Sequence, residues 1–198
     1  MNTNHSIKLR KMAYASLFAA LTAAGAYLSI PIGPVPIVLQ NLFVFLAGLL
    51  LGSRMGLASV GVYLLVGACG FPVFAGGTGG MGRLLGPTGG YLFGYLPAVY
   101  IIGLITEKTG RHAAFDVIAM FCGSVVIYAC GLSWLKLLTG MTLTKTLIVG
   151  MYPFILGDAL KIAAAVYIAK ALRPIMRIKV LRAECPVNHS QKNYYDLK

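Results

Sequence analysis

Charge is scarce in this sequence, and negative charge is scarcest. Charged residues make up 11% of the chain, with 5 Asp or Glu against 17 Lys or Arg, whereas soluble domains usually carry about 25% charged residues. Hydrophobic residues make up 58%, and glycines number 24. This composition excludes an ordinary water-soluble domain and indicates that lipid surrounds most of the chain.

The sequence also lacks the motifs of common enzyme classes. It has no Walker A motif, no Gly-x-Ser-x-Gly elbow and no His-Glu-x-x-His motif. The three histidines, His5, His112 and His189, fall in a tail, a loop and a tail, so no buried histidine base is predicted. We therefore expect that the chain does not hydrolyse ATP, is not an enzyme and needs no cofactor.

The cysteines are isolated from one another. Cys69, Cys122, Cys130 and Cys185 form no Cys-x-x-Cys pair, and no histidine lies at ligand spacing from them. A metal site is therefore unsupported. We expect these thiols to serve as small apolar packing residues.

Long apolar runs are what the sequence does have. A membrane-spanning helix needs about 20 mostly apolar residues, and six runs approach that length, at residues 12–30, 35–52, 55–70, 88–105, 113–135 and 152–172. We predict an all-α integral membrane protein with six transmembrane helices in residues 12–174. Residues 1–11 and 175–198 form the predicted tails, and the polar stretch after Pro186 is expected to be disordered.

The positive charges predict an orientation. Cytoplasmic loops collect Lys and Arg, and these residues are concentrated in both tails and in the second and fourth loops, whereas the opposite loops hold only Arg83, Lys136 and Lys145. Both termini are therefore predicted to be cytoplasmic. The net charge of +12 suits anionic lipid head groups, and no basic patch interleaved with aromatic residues indicates nucleic acid.

A glycine-rich connection, residues 70–95, joins the third and fourth runs. Gly77, Gly79 and Gly82 match Gly-x-Gly-x-x-Gly, but no βαβ unit surrounds them, so a dinucleotide site is not predicted. The segment is either a flexible loop with tight turns or a cradle whose backbone N–H groups face a ligand. Its one charge, Arg83, is either solvated or paired with a ligand anion, and Tyr91 follows at the start of the next helix.

Asp158 and Lys161 interrupt the last apolar run. Their i, i+3 spacing places them on one helix face, and charged residues at such depth normally face the protein interior. They form either a structural ion pair or a polar anchor in a ligand pocket. Gln40 and Asn41 interrupt the second run at the same end of the bundle; they either form hydrogen bonds between helices or line the same outward-facing ligand site as the charged pair.

Alanines recur every four residues in the first run, at Ala15, Ala19 and Ala23. Small residues at this spacing let another helix approach closely. The partner is either another helix of this chain or a separate protein that docks near the cytoplasmic end.

Taken together, these segments resemble the BioY family, the biotin-specific substrate-capture (S) components of energy-coupling-factor (ECF) transporters. The segments are "PIGPVPIVLQ" (31–40), "GFPVFAGGTGGMGRLLGPTGGYLFGY" (70–95) and "GDALKIAAA" (157–165), and the resemblance covers residues 10–175. It implies a six-helix S-component fold in a bacterial plasma membrane. It also implies biotin capture at the outer face, with a transmembrane coupling protein and two ATPase subunits as partners.

The resemblance further implies roles for individual residues. Asp158 would accept the ureido N–H groups of biotin, Lys161 would bind the ureido carbonyl or fix Asp158, and Arg83 would meet the carboxylate. Glycine backbone at Gly77 and Gly79, with Tyr91, would cover the ring, and Ala15 and Ala19 would contact the coupling protein. Family members commonly have Thr before the Gln, whereas Leu39 precedes Gln40 here. The alternatives are a stand-alone channel or facilitator for a small solute, or a membrane enzyme acting on a lipid or phosphate.

Overall fold

The computed structural model describes residues 3–30, 35–109 and 112–184, with side chains described within residues 8–30, 35–109 and 112–174. Over these residues the chain forms helices and one small antiparallel hairpin. In chain order the elements are α1 Thr3–Tyr27, β1 Ser29–Ile30, β2 Ile37–Val38, α2 Gln40–Leu51, α3 Ser53–Ala68, α4 Met81–Leu84, α5 Gly89–Lys108, α6 Ala113–Thr139, α7 Leu143–Gly150 and α8 Tyr152–Glu184.

The six predicted runs correspond to α1, α2, α3, α5, α6 and α8, but several boundaries differ. The first run ends as a helix at Tyr27, and α2 begins only at Gln40, because Ser29–Ile30 and Ile37–Val38 pair as strands. Pro36 precedes the second strand; proline lacks an N–H and disfavours helix in the residue before it.

The two predicted tails are also helical where the structure describes them. α1 begins at Thr3 and α8 continues to Glu184, so both helices extend beyond the predicted boundaries at residues 12 and 174. Residues 185–198, with the stretch predicted to be disordered, lie outside the described residues.

The described helices differ in length, and some of the apolar ones are too short to cross a bilayer by themselves. Among the described residues, α5 and α6 are long and apolar enough to cross a bilayer, and α7 with α8 as far as Pro174 forms a further candidate span bent by 40°. α2 and α3 are apolar but only 12 and 16 residues long, so α2 extends about 18 Å against a hydrocarbon core of about 30 Å. The count of six spans stays a prediction.

Glycines bring α5 and α6 close together, and this helix pair has the most extensive contact in the described structure. A Cβ at Gly90 would overlap the Cβ of Trp134, and one at Gly94 would lie 3.1 Å from the Cβ of Cys130. Gly131 in turn accommodates the ring of Tyr91. Small residues in membrane helices allow such close backbone approach, so α5 is held firmly beside α6.

We expect Gly90→Ala to destabilise the fold. The added methyl group would displace the Trp134 side chain or the Cys130 backbone, 2.7 Å away at its carbonyl oxygen, and overpacking of this kind costs about 1–3 kcal/mol. The matched control is Gly61→Ala in α3, where an added Cβ meets nothing within 4 Å. Thermal unfolding in detergent checks both; equal midpoints for the two variants would contradict close packing at Gly90.

The glycine-rich connection folds back onto the helices through Phe74. Its ring is buried, lies edge-on to Tyr63 at a centroid distance of 5.6 Å, and fills the space left by Gly67. The turn around it pairs Phe74 with Thr78, with positive φ at Gly76 and Gly77, a conformation that favours glycine. The Tyr27 hydroxyl donates to the Pro72 carbonyl, so the end of α1 also holds this loop.

Two carboxylates tie helix ends together away from the glycine-rich connection. Asp116, buried in the first turn of α6, accepts from both terminal nitrogens of the Arg173 guanidinium in α8, at 2.6 and 2.8 Å. Glu107 in α5 accepts from the Ser53 backbone N–H at 2.8 Å and from its hydroxyl at 2.9 Å. The second arrangement satisfies the free N-terminus of α3.

Candidate ligand-binding site

A cavity lies where the hairpin, the glycine-rich connection, α2, α4, α5, α6 and α8 meet. Its empty volume, counted together with the open space at its mouth, is about 590 Å³. Five of the residues predicted to bind substrate line it: Gln40, Arg83, Tyr91, Asp158 and Lys161. The cavity therefore gathers residues that are far apart in the sequence.

Asp158 and Lys161 form a buried ion pair on the α8 side of the cavity. The Lys161 ammonium donates to Asp158 Oδ1 at 2.9 Å, and the side chains are 9% and 7% exposed. The Tyr128 hydroxyl, from α6, donates to the other carboxylate oxygen. Each carboxylate oxygen can accept more than one hydrogen bond, so Asp158 keeps acceptor capacity for a ligand.

Two further tyrosines brace the cavity from α5. The Tyr95 hydroxyl donates to Asn41 Oδ1 at 2.5 Å, which links α5 to α2. The Tyr91 hydroxyl donates to the Gly150 carbonyl at 2.8 Å, at the end of α7. Tyr91 thus lines the cavity with its ring while its hydroxyl fixes the bend between α7 and α8.

Arg83 supplies positive charge at the cavity wall. It lies in the short helix α4 and is partly exposed. Within the described parts of the chain its guanidinium forms no ion pair, whereas Lys161 and Arg173 are paired with carboxylates. Arg83 is therefore placed to receive an anionic group of a ligand.

Gln40 is the polar residue of the cavity whose hydrogen bonding is incomplete. It is 1% exposed at the first position of α2, and its Nε2 has no hydrogen-bond partner among the described residues. The buried Tyr63 hydroxyl, outside the cavity lining, lies within hydrogen-bonding range of the Gln40 side chain, although not at ideal geometry. Buried polar groups are usually satisfied, and the Tyr63 hydroxyl is the neighbouring acceptor for this amide.

Comparison with known proteins agrees with this arrangement. The family model described as "BioY family" matches residues 1–178 of the chain. The chain belongs to the BioY family. The resemblance drawn from the sequence motifs is thereby confirmed.

Relatives of this BioY-family chain match it over most of their length. It is 43% identical over 167 residues to a probable biotin transporter BioY of Pyrococcus horikoshii, and 41% identical over 167 residues to a biotin transporter BioY of Thermotoga maritima. Each alignment covers 84% of this chain and 98% of the relative. Such homologues are transporters, which confirms a transport role rather than catalysis.

A solved structure matches the BioY-family fold described above. The crystal structure of an S-component for biotin from an ECF-type ABC transporter superposes with a TM-score of 0.81 at 34% identity, covering 88% of this chain and 95% of that one. The prediction of a helical membrane fold like that of an S component is confirmed.

Gly77 and Gly79 do not line the cavity in the described structure. A Cβ at Gly77 would lie 3.3 Å from the Tyr27 ring, and one at Gly79 would overlap the Phe71 carbonyl. Their positions in this BioY-family chain favour a role in shaping the loop over the predicted backbone contact with a ligand. The positive φ of Gly77 supports the same role.

Ala15 and Ala19 face the interior of this BioY-family chain. They are 6% and 7% exposed, whereas Ala20 and Ala24 are exposed on the other side of α1. Packing of α1 against the chain's own helices therefore accounts for the Ala15–Ala19 pair. The contact of these two residues with a separate coupling protein stays a prediction.

Tyr128, like Tyr95, is a site residue that reasoning from the sequence missed. It lies within an apolar stretch of α6, where an aromatic residue is equally typical of a lipid-facing or packing position. Its only available signal was the hydroxyl, because a tyrosine buried in a membrane helix normally finds a hydrogen-bond partner. That partner is Asp158, 30 residues away in the sequence.

Proposed function

We propose that the chain is the substrate-capture subunit of an ECF transporter for biotin uptake. The observation that carries the proposal is the convergence of Asp158, Lys161, Arg83, Gln40 and Tyr91 on one cavity. The relatives that are named biotin transporters and the solved biotin S-component support the choice of substrate.

The cavity's chemistry suits biotin. The ligand has a ureido ring with two N–H donors and a carbonyl acceptor, an apolar thioether ring and a carboxylate tail. Asp158, held by Lys161 and Tyr128, offers acceptor oxygens for the ureido N–H groups, and Arg83 offers a cation for the carboxylate. Apolar residues such as Leu92, Ile127 and Phe154 line the remaining wall and suit the thioether ring.

The proposal extends to the membrane arrangement and to partners. The cavity is proposed to open outward, with both termini in the cytoplasm of a bacterial cell, as the distribution of Lys and Arg predicts. The sequence has no Walker A motif, so ATP-driven delivery requires ATPase subunits and a transmembrane coupling protein. The excess of positive charge favours anionic lipid at the cytoplasmic surface.

Isothermal titration of the purified protein in detergent tests the substrate. Biotin is expected to bind tightly near one-to-one, whereas thiamine and riboflavin serve as control vitamins and should give no heat of binding. A folded sample that does not bind biotin would remove the proposed substrate. Biotin uptake into vesicles that contain this chain alone would instead favour a stand-alone facilitator.

A further inference from the structure

Trp134 contacts the turn between α4 and α5 from outside the cavity. Its indole N–H, on α6, donates to the Gly86 carbonyl at 3.0 Å. Gly86 lies between Arg83 and Thr88, which both line the cavity. Trp134 is not part of that lining in the described structure. The indole therefore binds a segment that forms part of the cavity wall without reaching the cavity itself.

A single hydrogen bond separates this contact from the backbone of Arg83. The Gly86 N–H donates to the Arg83 carbonyl at 3.3 Å. The Gly86 carbonyl, which accepts from the indole, also accepts from the Gly89 N–H at 3.0 Å. These backbone bonds stay within the turn, whereas the indole connects the turn to another membrane helix. A change at the indole is therefore transmitted directly to the segment that carries Arg83.

Two glycines at the start of α5 bring the indole close to this turn. A Cβ at Gly89 would overlap the Leu84 carbonyl and would lie 3.3 Å from the indole nitrogen. A Cβ at Gly90 would overlap the Cβ of Trp134. Side chains at these two positions would push α6 away from the turn and lengthen the hydrogen bond. The contact thus depends on close packing of α4, α5 and α6.

We propose that Trp134 is a positioning residue for ligand recognition: its hydrogen bond to Gly86 holds the turn so that the Arg83 guanidinium lies at the cavity wall before the ligand arrives. The inference rests on the proposed function, in which Arg83 receives the carboxylate of biotin. Within the described parts of the chain Arg83 forms no ion pair, so no carboxylate fixes its side chain. A turn that is fixed in advance spares the ligand the entropy cost of ordering it.

An interfacial anchor is the alternative role for Trp134. Tryptophan is enriched at membrane–water interfaces, and Trp134 lies near the end of α6 with its ring 6.4 Å from the ring of Phe93. An anchor would stabilise the fold or its depth in the bilayer. Its effect on binding would depend neither on Arg83 nor on the charge of the ligand, so a double-mutant cycle distinguishes the two roles.

The test combines Trp134→Phe with Arg83→Gln and measures binding by isothermal titration. The ligands are biotin and biotinol, which carries a hydroxyl in place of the carboxylate. Trp134→Phe removes the N–H donor and is expected to weaken biotin about fivefold, within the range for one hydrogen bond, and to leave biotinol unchanged. Arg83→Gln should weaken biotin at least about tenfold, because it removes a charged donor. In that background Trp134→Phe is expected to have no further effect.

Two controls isolate the indole N–H. The chain has one tryptophan, so expression with β-(3-benzothienyl)alanine, in which sulfur replaces the N–H, changes this group alone. The isostere keeps the ring size, should reproduce the fivefold loss, and serves as the test if thermal unfolding shows that Trp134→Phe does not fold. Ser124→Ala removes another hydrogen bond from an α6 side chain, 2.9 Å to the Met120 carbonyl and outside the cavity lining in the described structure. It should leave both affinities unchanged.

Several results would overturn the inference. Equal losses for Trp134→Phe in the wild-type and Arg83→Gln backgrounds, or equal losses for biotin and biotinol, would show that the indole does not act through Arg83. Wild-type affinity for biotin in folded Trp134→Phe protein would show that the hydrogen bond is unimportant for binding. Wild-type affinity in Arg83→Gln would remove the group on which Trp134 is proposed to act. All of these leave biotin binding itself intact, whereas failure of the wild type to bind biotin contradicts the proposed function.

Discussion

Replacing Asp158 with asparagine is expected to reduce biotin affinity by at least about 100-fold, equal to about 3 kcal/mol. The change keeps the shape of the side chain but removes the negative charge that holds Lys161 at 2.9 Å and that would accept the ureido N–H groups. Hydrogen bonds to a charged group contribute about 1.5–3 kcal/mol each. Isothermal titration with biotin measures the loss directly.

A second variant distinguishes ligand binding from a purely structural ion pair. In the double variant Asp158→Asn, Lys161→Met, no ammonium is left buried without its carboxylate, so the fold is expected to survive with a thermal midpoint near that of the wild type. Replacing a buried ion pair by neutral groups of similar volume is often neutral for stability. If this folded variant bound biotin with wild-type affinity, the pair would be structural only, and the proposed site would be wrong.

Replacing Arg173 with methionine is expected to lower the free energy of unfolding by about 3–5 kcal/mol, the usual cost of breaking a buried ion pair by removing one partner. The variant leaves the Asp116 carboxylate, 1% exposed, without the two hydrogen bonds that it accepts from the guanidinium. Chemical or thermal unfolding in detergent reports the change. The matched double variant Asp116→Leu, Arg173→Met removes both charges and should recover most of the loss.

Biotin binding provides the control for Arg173→Met. Asp116 lies 12 residues from Tyr128 on α6, about 18 Å along the helix, so the affinity of the folded fraction is expected to match that of the wild type. A large loss of affinity with unchanged stability would show that the Asp116–Arg173 pair acts on the cavity and not on the fold.

The sequence made some parts of the site predictable because the signal was local. Asp158 and Lys161 are three residues apart in an apolar helix, so helical geometry alone places them on one face, and the cost of charge in lipid turns both inward. Gln40 and Asn41 were also visible locally, because two adjacent polar residues interrupt an apolar run. Arg83 stood out as the one charge in a glycine-rich segment. No local pattern shows whether its side chain faces solvent or a cavity.

Other parts depend on contacts that no local pattern encodes. The Tyr128 hydroxyl reaches a carboxylate on another helix, and the burial of Ala15 follows from how α1 packs, not from the alanine spacing. α7 was missed because residues 143–150 are too few for a spanning helix, and the break at Met151 separates them from α8. The hairpin was missed because its two strands have only two residues each.

The three tyrosine hydroxyl contacts have a thermodynamic consequence. Tyr91, Tyr95 and Tyr128 each reach from α5 or α6 to a different element, α7, α2 or α8, so the walls of the cavity are fixed before any ligand enters. Ordering a free side chain during binding costs about 0.5–1.5 kcal/mol, and here much of that entropy is already lost when the protein folds. The protein is therefore preorganised for its ligand. We expect substitutions of these three tyrosines to change the dissociation rate of the ligand more than its association rate.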